Sequence, residues 1–186
     1  LFRDSHTHRL ANFFRATRKA LTGLSNKSEE DSNVVLLSPG PANEAYFEHA
    51  YLANYLGYTL VEGSDLEVSN NKVWLTTLEG RRAVDVILRR MDDAYCDPVE
   101  LRADSYLGVP GLTNAVRTGN VTIANPLGSG ILESPALQVF LPELCQHLLG
   151  EDLRLPSVPT WWCGERKHLD HVLANFDEMV IKSIHP

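Results

Sequence analysis

Three stretches of the 186-residue sequence place polar side chains and turn formers directly after apolar, β-branched runs. SPGPANE (38–44) follows VVLL (34–37). Gly40 permits close backbone approach, and the helix start behind it offers unpaired N–H groups to an anion. A tight strand-to-helix turn that uses Pro and Gly for geometry alone is the competing reading. RRMDDAYCD (89–97) sets Arg89 and Arg90 beside Asp92 and Asp93. A guanidinium fork there binds a carboxylate or phosphate. Strand alternation points the two arginines to opposite faces, so at most one reaches a ligand. The alternative is a surface ion-pair cluster. ANPLGSG (124–130) offers Gly128 and Gly130 as a flexible crossing or a hinge between layers. A fourth candidate, Lys182, ends the apolar run MVIK (179–182). It either reaches a phosphate as a compact charge or guards a strand edge against aggregation.

Other chemistries fit less well. No G-x-G-x-x-G or G-x-x-x-x-G-K occurs, so neither a dinucleotide fingerprint nor a P-loop is present. DSHTH (4–8) has the D-x-H-x-H spacing of metal-dependent amidohydrolases, but only three residues precede it and the chain is too short for the barrel that site needs. Cys163, His168 and His171 have an irregular ligand spacing and no evident fourth ligand. No metal site is expected. The three cysteines are sparse and odd in number, which suits free thiols in a reducing, cytoplasmic setting.

The elements that must carry these residues follow from periodicity. Leu10, Phe13, Phe14, Thr17, Leu21 and Leu24 predict an amphipathic helix over 9–22. SNKSEEDSN (25–33) is a polar linker. Strands are expected at 34–37, 59–63, 83–90, 121–125 and 179–182, and a β-hairpin over 66–77 turns at Asn70-Asn71. Helices are expected at about 44–56, capped by Asn43 and stopped at Gly57, from Asp97-Pro98 with Glu100 closing a capping box, from Ser134-Pro135 to Gly150, and at 166–176. Strands alternating with helices predict an α/β fold with a mostly parallel, Rossmann-like sheet flanked by helices. In such sheets ligands bind beyond the C-terminal strand ends, where the three polar stretches lie.

Bulk properties narrow the function. A net charge of −7 argues against nucleic acid as a partner. Residues 1–27 nevertheless carry six basic side chains against Asp4 alone, which reads as a solvated basic helix face docked on an acidic body. No apolar run is long enough to span a membrane. The missing initial Met makes the chain a candidate piece of something longer.

Four segments together carry a resemblance: LLSPGPANEAYFEHAYLANYLGYTLVEGSDL, VDVILRRMDDAYCDPVELRADSYLGVPGL, ANPLGSGILESPAL and LPSVPTWWCG with the later VIK. In this order, from about Arg9 to Lys182, the chain resembles the circularly permuted ATP-grasp type 2 family, related to glutathionylspermidine synthase-like ligases. The resemblance implies an N-terminal helix and linker (1–33), a Rossmann-like pre-ATP-grasp domain (34–125), and the incomplete beginning of an ATP-grasp domain (126–186). It implies Asn125 and Arg89 or Arg90 as substrate contacts, with Ser38, Gly40 and Asn43 facing the same cleft, and Lys182 as an ATP-phosphate contact. Ser183 stands where the family usually has proline. The implied chemistry is ATP-dependent joining of a carboxylate to an amine through an acyl phosphate, with ATP and magnesium as cofactors of the full-length parent. Small-molecule or peptide carboxylates and amines are the implied partners. This chain alone is expected to be inactive and to hold neither cofactor tightly, and its truncated face is expected to favour a homodimer. The alternative is a non-catalytic binding or assembly module that retains only the fold.

Overall fold

A computed structural model of the protein describes residues 10–184. The DSHTH stretch lies outside them. The chain divides into two compact units, Leu1–Leu127 and Gly128–Pro186.

The first unit is built on a four-stranded parallel sheet of β1 (Val34–Leu37), β2 (Thr59–Val61), β6 (Val86–Arg89) and β7 (Thr122–Ala124), in the order β2-β1-β6-β7. Register aligns Val35, Ile87 and Ile123 across the sheet, and next to them Leu36, Leu88 and Ala124. Adjacent strand residues face opposite ways, so each row feeds its own core. Leu36, Leu88 and Ala124 pack with Phe14, Leu21, Ala53 and Leu56 from helices α1 (Ala11–Thr22) and α2 (Tyr46–Leu56). Val35, Ile87 and Ile123 join Leu75, Val109 and Leu112 on the other face. That face is covered by an antiparallel sheet of β3 (Leu66–Ser69), β4 (Lys72–Thr77) and β5 (Gly80–Val84), and by α3 (Leu112–Arg117). Burial on both faces explains the unbroken apolar runs VVLL and VIL; each fully buried aliphatic side chain contributes about 1.5–3 kcal/mol.

Several expectations need correction. The run 83–90 is not one strand. It splits at Asp85 into β5 of the antiparallel sheet and β6 of the parallel one. Asp85 fixes the break: its carboxylate accepts the Asn33 N–H at 2.9 Å and pairs with Lys27 at 2.7 Å. The expected hairpin forms, with Asn70 and Asn71 at φ 53° and 60°, but continues into a third strand. No helix starts at Asp97. Its buried carboxylate instead accepts N–H groups of Val99 (2.9 Å), Gly111 (3.1 Å) and Thr113 (2.9 Å), and so caps α3 from a distant loop. Burial alone would push this carboxyl up; the three backbone donors outweigh that and hold it below the usual range. Glu100, freed from a capping role, pairs with Arg117 at 2.6 Å. Asn43 does not cap α2 directly; it accepts the Ala45 N–H at 3.0 Å in a turn before the helix begins. The helix ends as expected at Gly57, with φ 69°.

In the second unit α4 (Leu137–Leu149) follows Ser134-Pro135 and stops at Gly150, with Pro142 inside it, and α5 is Arg166–Ala174. Residues 179–182 do not form the expected strand. A strand exists only as one side of a ladder, and among the described residues of this unit there is no other strand to pair with.

Candidate functional site

The chain runs from β1 through α2 to β2 on one side, then returns to place β6 on the other side of β1. The crevice beyond the C-terminal ends of β1 and β6 is therefore the topological switch point of the sheet, where open α/β folds bind ligands. SPGPANE leaves β1 there, RRMDDAYCD leaves β6, and ANPLGSG leaves the neighbouring β7.

Ser38 extends β1 by one residue; its N–H donates to the Val61 carbonyl at 2.9 Å. Its buried hydroxyl lies 2.9 Å from Nδ1 of His49 on α2 and accepts the Gly40 N–H at 3.2 Å. Burial first, and the nearby Arg90 charge second, push the His49 pKa down against an opposing pull from Glu48. Gly40 has φ 95°, a left-handed conformation that glycine adopts without cost. A Cβ there would stand 3.0 Å from the Glu62 carboxylate, so the residue after β2 leans on the same turn. Asn43 is exposed at the outer end of the loop.

The two arginines have opposite fates. Arg89 is buried at 6% exposure. Its guanidinium donates to the Asn125 carbonyl at 2.8 Å, to the Met91 carbonyl, and to the Pro126 carbonyl at 3.4 Å, and it pairs with Asp93 at 2.5 Å. Asn125, at φ 60°, returns a bond from Nδ2 to the Arg89 carbonyl at 3.4 Å. Arg89 and Asn125 thus lock the ends of β6 and β7 together. Arg90 is held by its backbone to Leu37 at 2.9 Å, while its side chain is exposed and makes no ion pair among the described residues. Lys182 lies exposed in the second unit on a segment without strand structure.

Neither His49 nor Glu62 is conspicuous in the sequence. His49 sits mid-helix and becomes visible only when α2 folds back over the end of β1. In RRMDDAYCD, Asp93 pairs with Arg89, as an ion-pair cluster would have it, but the arginine is buried and not at the surface.

Burial pushes the Cys96 thiol up to about 11, which removes thiolate chemistry near neutrality. His171 stacks on Trp161 at 4.6 Å, and His168 Nδ1 accepts the Trp162 N–H at 3.3 Å. Among the described residues no group of three His, Cys, Asp or Glu side chains is placed to hold a metal.

The sequence description of circularly permuted ATP-grasp type 2 proteins matches residues 1–186. The chain belongs to the circularly permuted ATP-grasp type 2 family. It is 47% identical over 171 residues to the uncharacterized protein Rv2567 of Mycobacterium tuberculosis, covering 92% of this chain and 19% of that protein. It is 43% identical over 166 residues to the uncharacterized protein ML0605 of Mycobacterium leprae (89% and 30%). It is 42% identical over 150 residues to the uncharacterized protein sll0335 of Synechocystis (81% and 31%). The chain therefore spans 19% to 31% of the length of these family members. Family membership gives an ATP-dependent ligase-like fold, in a family that generally uses ATP and magnesium and acts on small molecules. No helix among the described residues is long and apolar enough to cross a membrane.

Proposed function

We propose that this chain is the substrate-binding part of an ATP-dependent carboxylate–amine ligase, and that the β1/β6 crevice receives the carboxylate substrate. The observation that carries this reading is Arg90: an exposed guanidinium at the topological switch point, without an ion-pair partner among the described residues, beside a turn whose backbone is held open by Gly40. A carboxylate in that position satisfies Arg90 through a charge-assisted, bidentate contact. Asn43 borders it, Ser38 shapes the Gly40 turn through its bonds to His49 and the Gly40 N–H, and Asn125 closes the far side. Arg89 is a positioning residue in this scheme. It holds the 125–126 backbone and leaves ligand contact to its neighbour.

In this scheme Lys182, exposed in the second unit, contacts a nucleotide phosphate in the full-length protein, this chain's own residues bind and orient the carboxylate, and ligation needs the full-length protein.

Two measurements test the reading. In the full-length protein, Arg90→Ala and Asn43→Ala lower ATP-dependent phosphate release at limiting carboxylate, raising KM about tenfold or more for loss of a charged contact, with thermal unfolding unchanged. Arg89→Ala instead lowers stability by about 3 kcal/mol, because it leaves buried carbonyls and Asp93 without their donor. In the isolated chain, titration with amino acids and short peptides shifts the amide resonances of Gly40 and Arg90 in the parent sequence and not in Arg90→Ala. Equal shifts in both, or turnover indifferent to Arg90, would leave the fold-only binding module as the better account.

A further inference from the structure

Two hydrogen bonds carry the parallel ladders one residue beyond the strands. The Ser38 N–H donates to the Val61 carbonyl and the Arg90 N–H to the Leu37 carbonyl, each at 2.9 Å. The register that aligns Val61, Leu37 and Arg89 therefore continues, and Glu62, Ser38 and Arg90 stand side by side at the mouth of the crevice. Glu62 keeps extended backbone. Two residues earlier in the three strands, Leu60, Leu36 and Leu88 pack on the side of α1 and α2. Side chains two apart on a strand share a face, so Glu62, Ser38 and Arg90 rise together on the helix side.

Each side chain supports that placement. Ser38 meets His49 of α2 at 2.9 Å. The Arg90 charge acts on the same His49 and lowers its pKa. The Glu62 carboxylate comes to 3.0 Å from where a Cβ on Gly40 would stand, in the turn that follows Ser38. An anion and a cation thus flank this turn, two strand spacings apart, or about 10 Å between their Cα atoms. They are not spent on each other, and neither takes part in an ion pair among the described residues. Glu62 accepts the Asp65 N–H in the 3₁₀ turn Gly63–Asp65. A carboxylate has about four acceptor positions, so most of its capacity is left.

We propose that the crevice takes a zwitterion, an α-amino acid whose carboxylate lies on Arg90 and whose ammonium lies on Glu62. Resting on Arg90 as the carboxylate contact, this assignment adds the group that selects for the second charge. The span fits: with charge-assisted contacts of about 2.8 Å at each end, an α-amino acid bridges roughly 8–9 Å. A plain carboxylic acid leaves the Glu62 charge against an apolar chain, and a dicarboxylate meets it with like charge, so both are disfavoured. Bound as an ammonium, the amine of this substrate has no lone pair. The nucleophile that joins the carboxylate is then the amine of a second molecule.

Amide resonances of the 186-residue chain, followed during titration with alanine, propionate and malonate, test this. Alanine is expected to shift Gly40 and Arg90 with a Kd about tenfold or more below those of propionate and malonate, the scale of one charged contact. This comparison needs no variant. Glu62→Gln keeps an acceptor for the Asp65 N–H, its unfolding midpoint checks the turn, and in it alanine and propionate bind alike. Arg90→Ala weakens alanine and propionate together. Equal affinity of alanine and propionate for the parent sequence overturns the proposal, and so does an alanine preference that survives Glu62→Gln. In both cases carboxylate binding that still needs Arg90 leaves the carboxylate assignment standing. Binding indifferent to Arg90→Ala removes that assignment itself, and the zwitterion with it.

Discussion

His49 couples the candidate site to pH. His49 is buried and hydrogen-bonded to Ser38, and its pKa is lowered by burial and then by Arg90. A base whose folded pKa lies below its unfolded value of about 6.5 stabilises the fold above that value, and the stabilisation is lost as pH falls toward the folded pKa. Unfolding in urea should therefore show a lower midpoint at mildly acidic pH than at slightly alkaline pH. His49→Gln should flatten this dependence while itself costing about 1–2 kcal/mol for the lost buried hydrogen bond. An unchanged pH profile in that variant would assign the titration to another group. The same bond matters for the crevice, because Ser38 Oγ holds the Gly40 N–H and so shapes the turn that borders Arg90. At this scale the sequence named Ser38, Gly40 and both arginines, but their environments were invisible to it. Which arginine is consumed by backbone carbonyls depends on where Asn125 and Pro126 arrive, 36 and 37 residues later.

Among elements, the short 3₁₀ turn Gly63–Asp65 joins the parallel sheet to the antiparallel one. A Cβ on Gly63 would stand 2.1 Å from the Leu107 carbonyl oxygen and 2.8 Å from that of Gly108. Both obstacles are backbone, so no side chain is available to swing aside. Gly63→Ala should destabilise the first unit by about 3 kcal/mol, as severe overpacking does, measured by chemical denaturation; a loss below about 0.5 kcal/mol, the scale of ordinary surface changes, would mean that the 107–108 loop yields easily. Periodicity located α1, α2, β1 and the Asn70-Asn71 turn because those signals are local. It failed at Asp97, whose N-cap-like composition was real but served α3 across fourteen to sixteen residues. It failed again at Asp85, because consecutive apolar residues carry no mark of which sheet they join.

The two units differ in how much apolar surface they bury. The first has two clusters of buried side chains on opposite faces of its parallel sheet. In the second, Val172 is the one buried hydrophobic residue among those described, and α4 buries none. Pro142 also removes a backbone donor inside α4. Local stability tracks buried apolar contacts. Amide exchange should therefore be slowest at Leu36, Ile87 and Ile123, and faster by about a hundredfold or more, the equivalent of about 3 kcal/mol, across α4 and α5. Comparable protection in both would show that the second unit has support its burial does not reveal.

By itself the sequence determined the apolar strands, the helices with local start and stop signals, and the family, since these reside in contiguous residues and their order. Tertiary structure alone decided that the polar strand ends meet at one switch point, that Arg89 turns inward while Arg90 stays open, that His49 lies against Ser38, and that 179–182 forms no strand. Each of those outcomes depends on a partner distant along the chain, and the energy of a hydrogen bond, an ion pair or a ladder is defined only once both partners are in place.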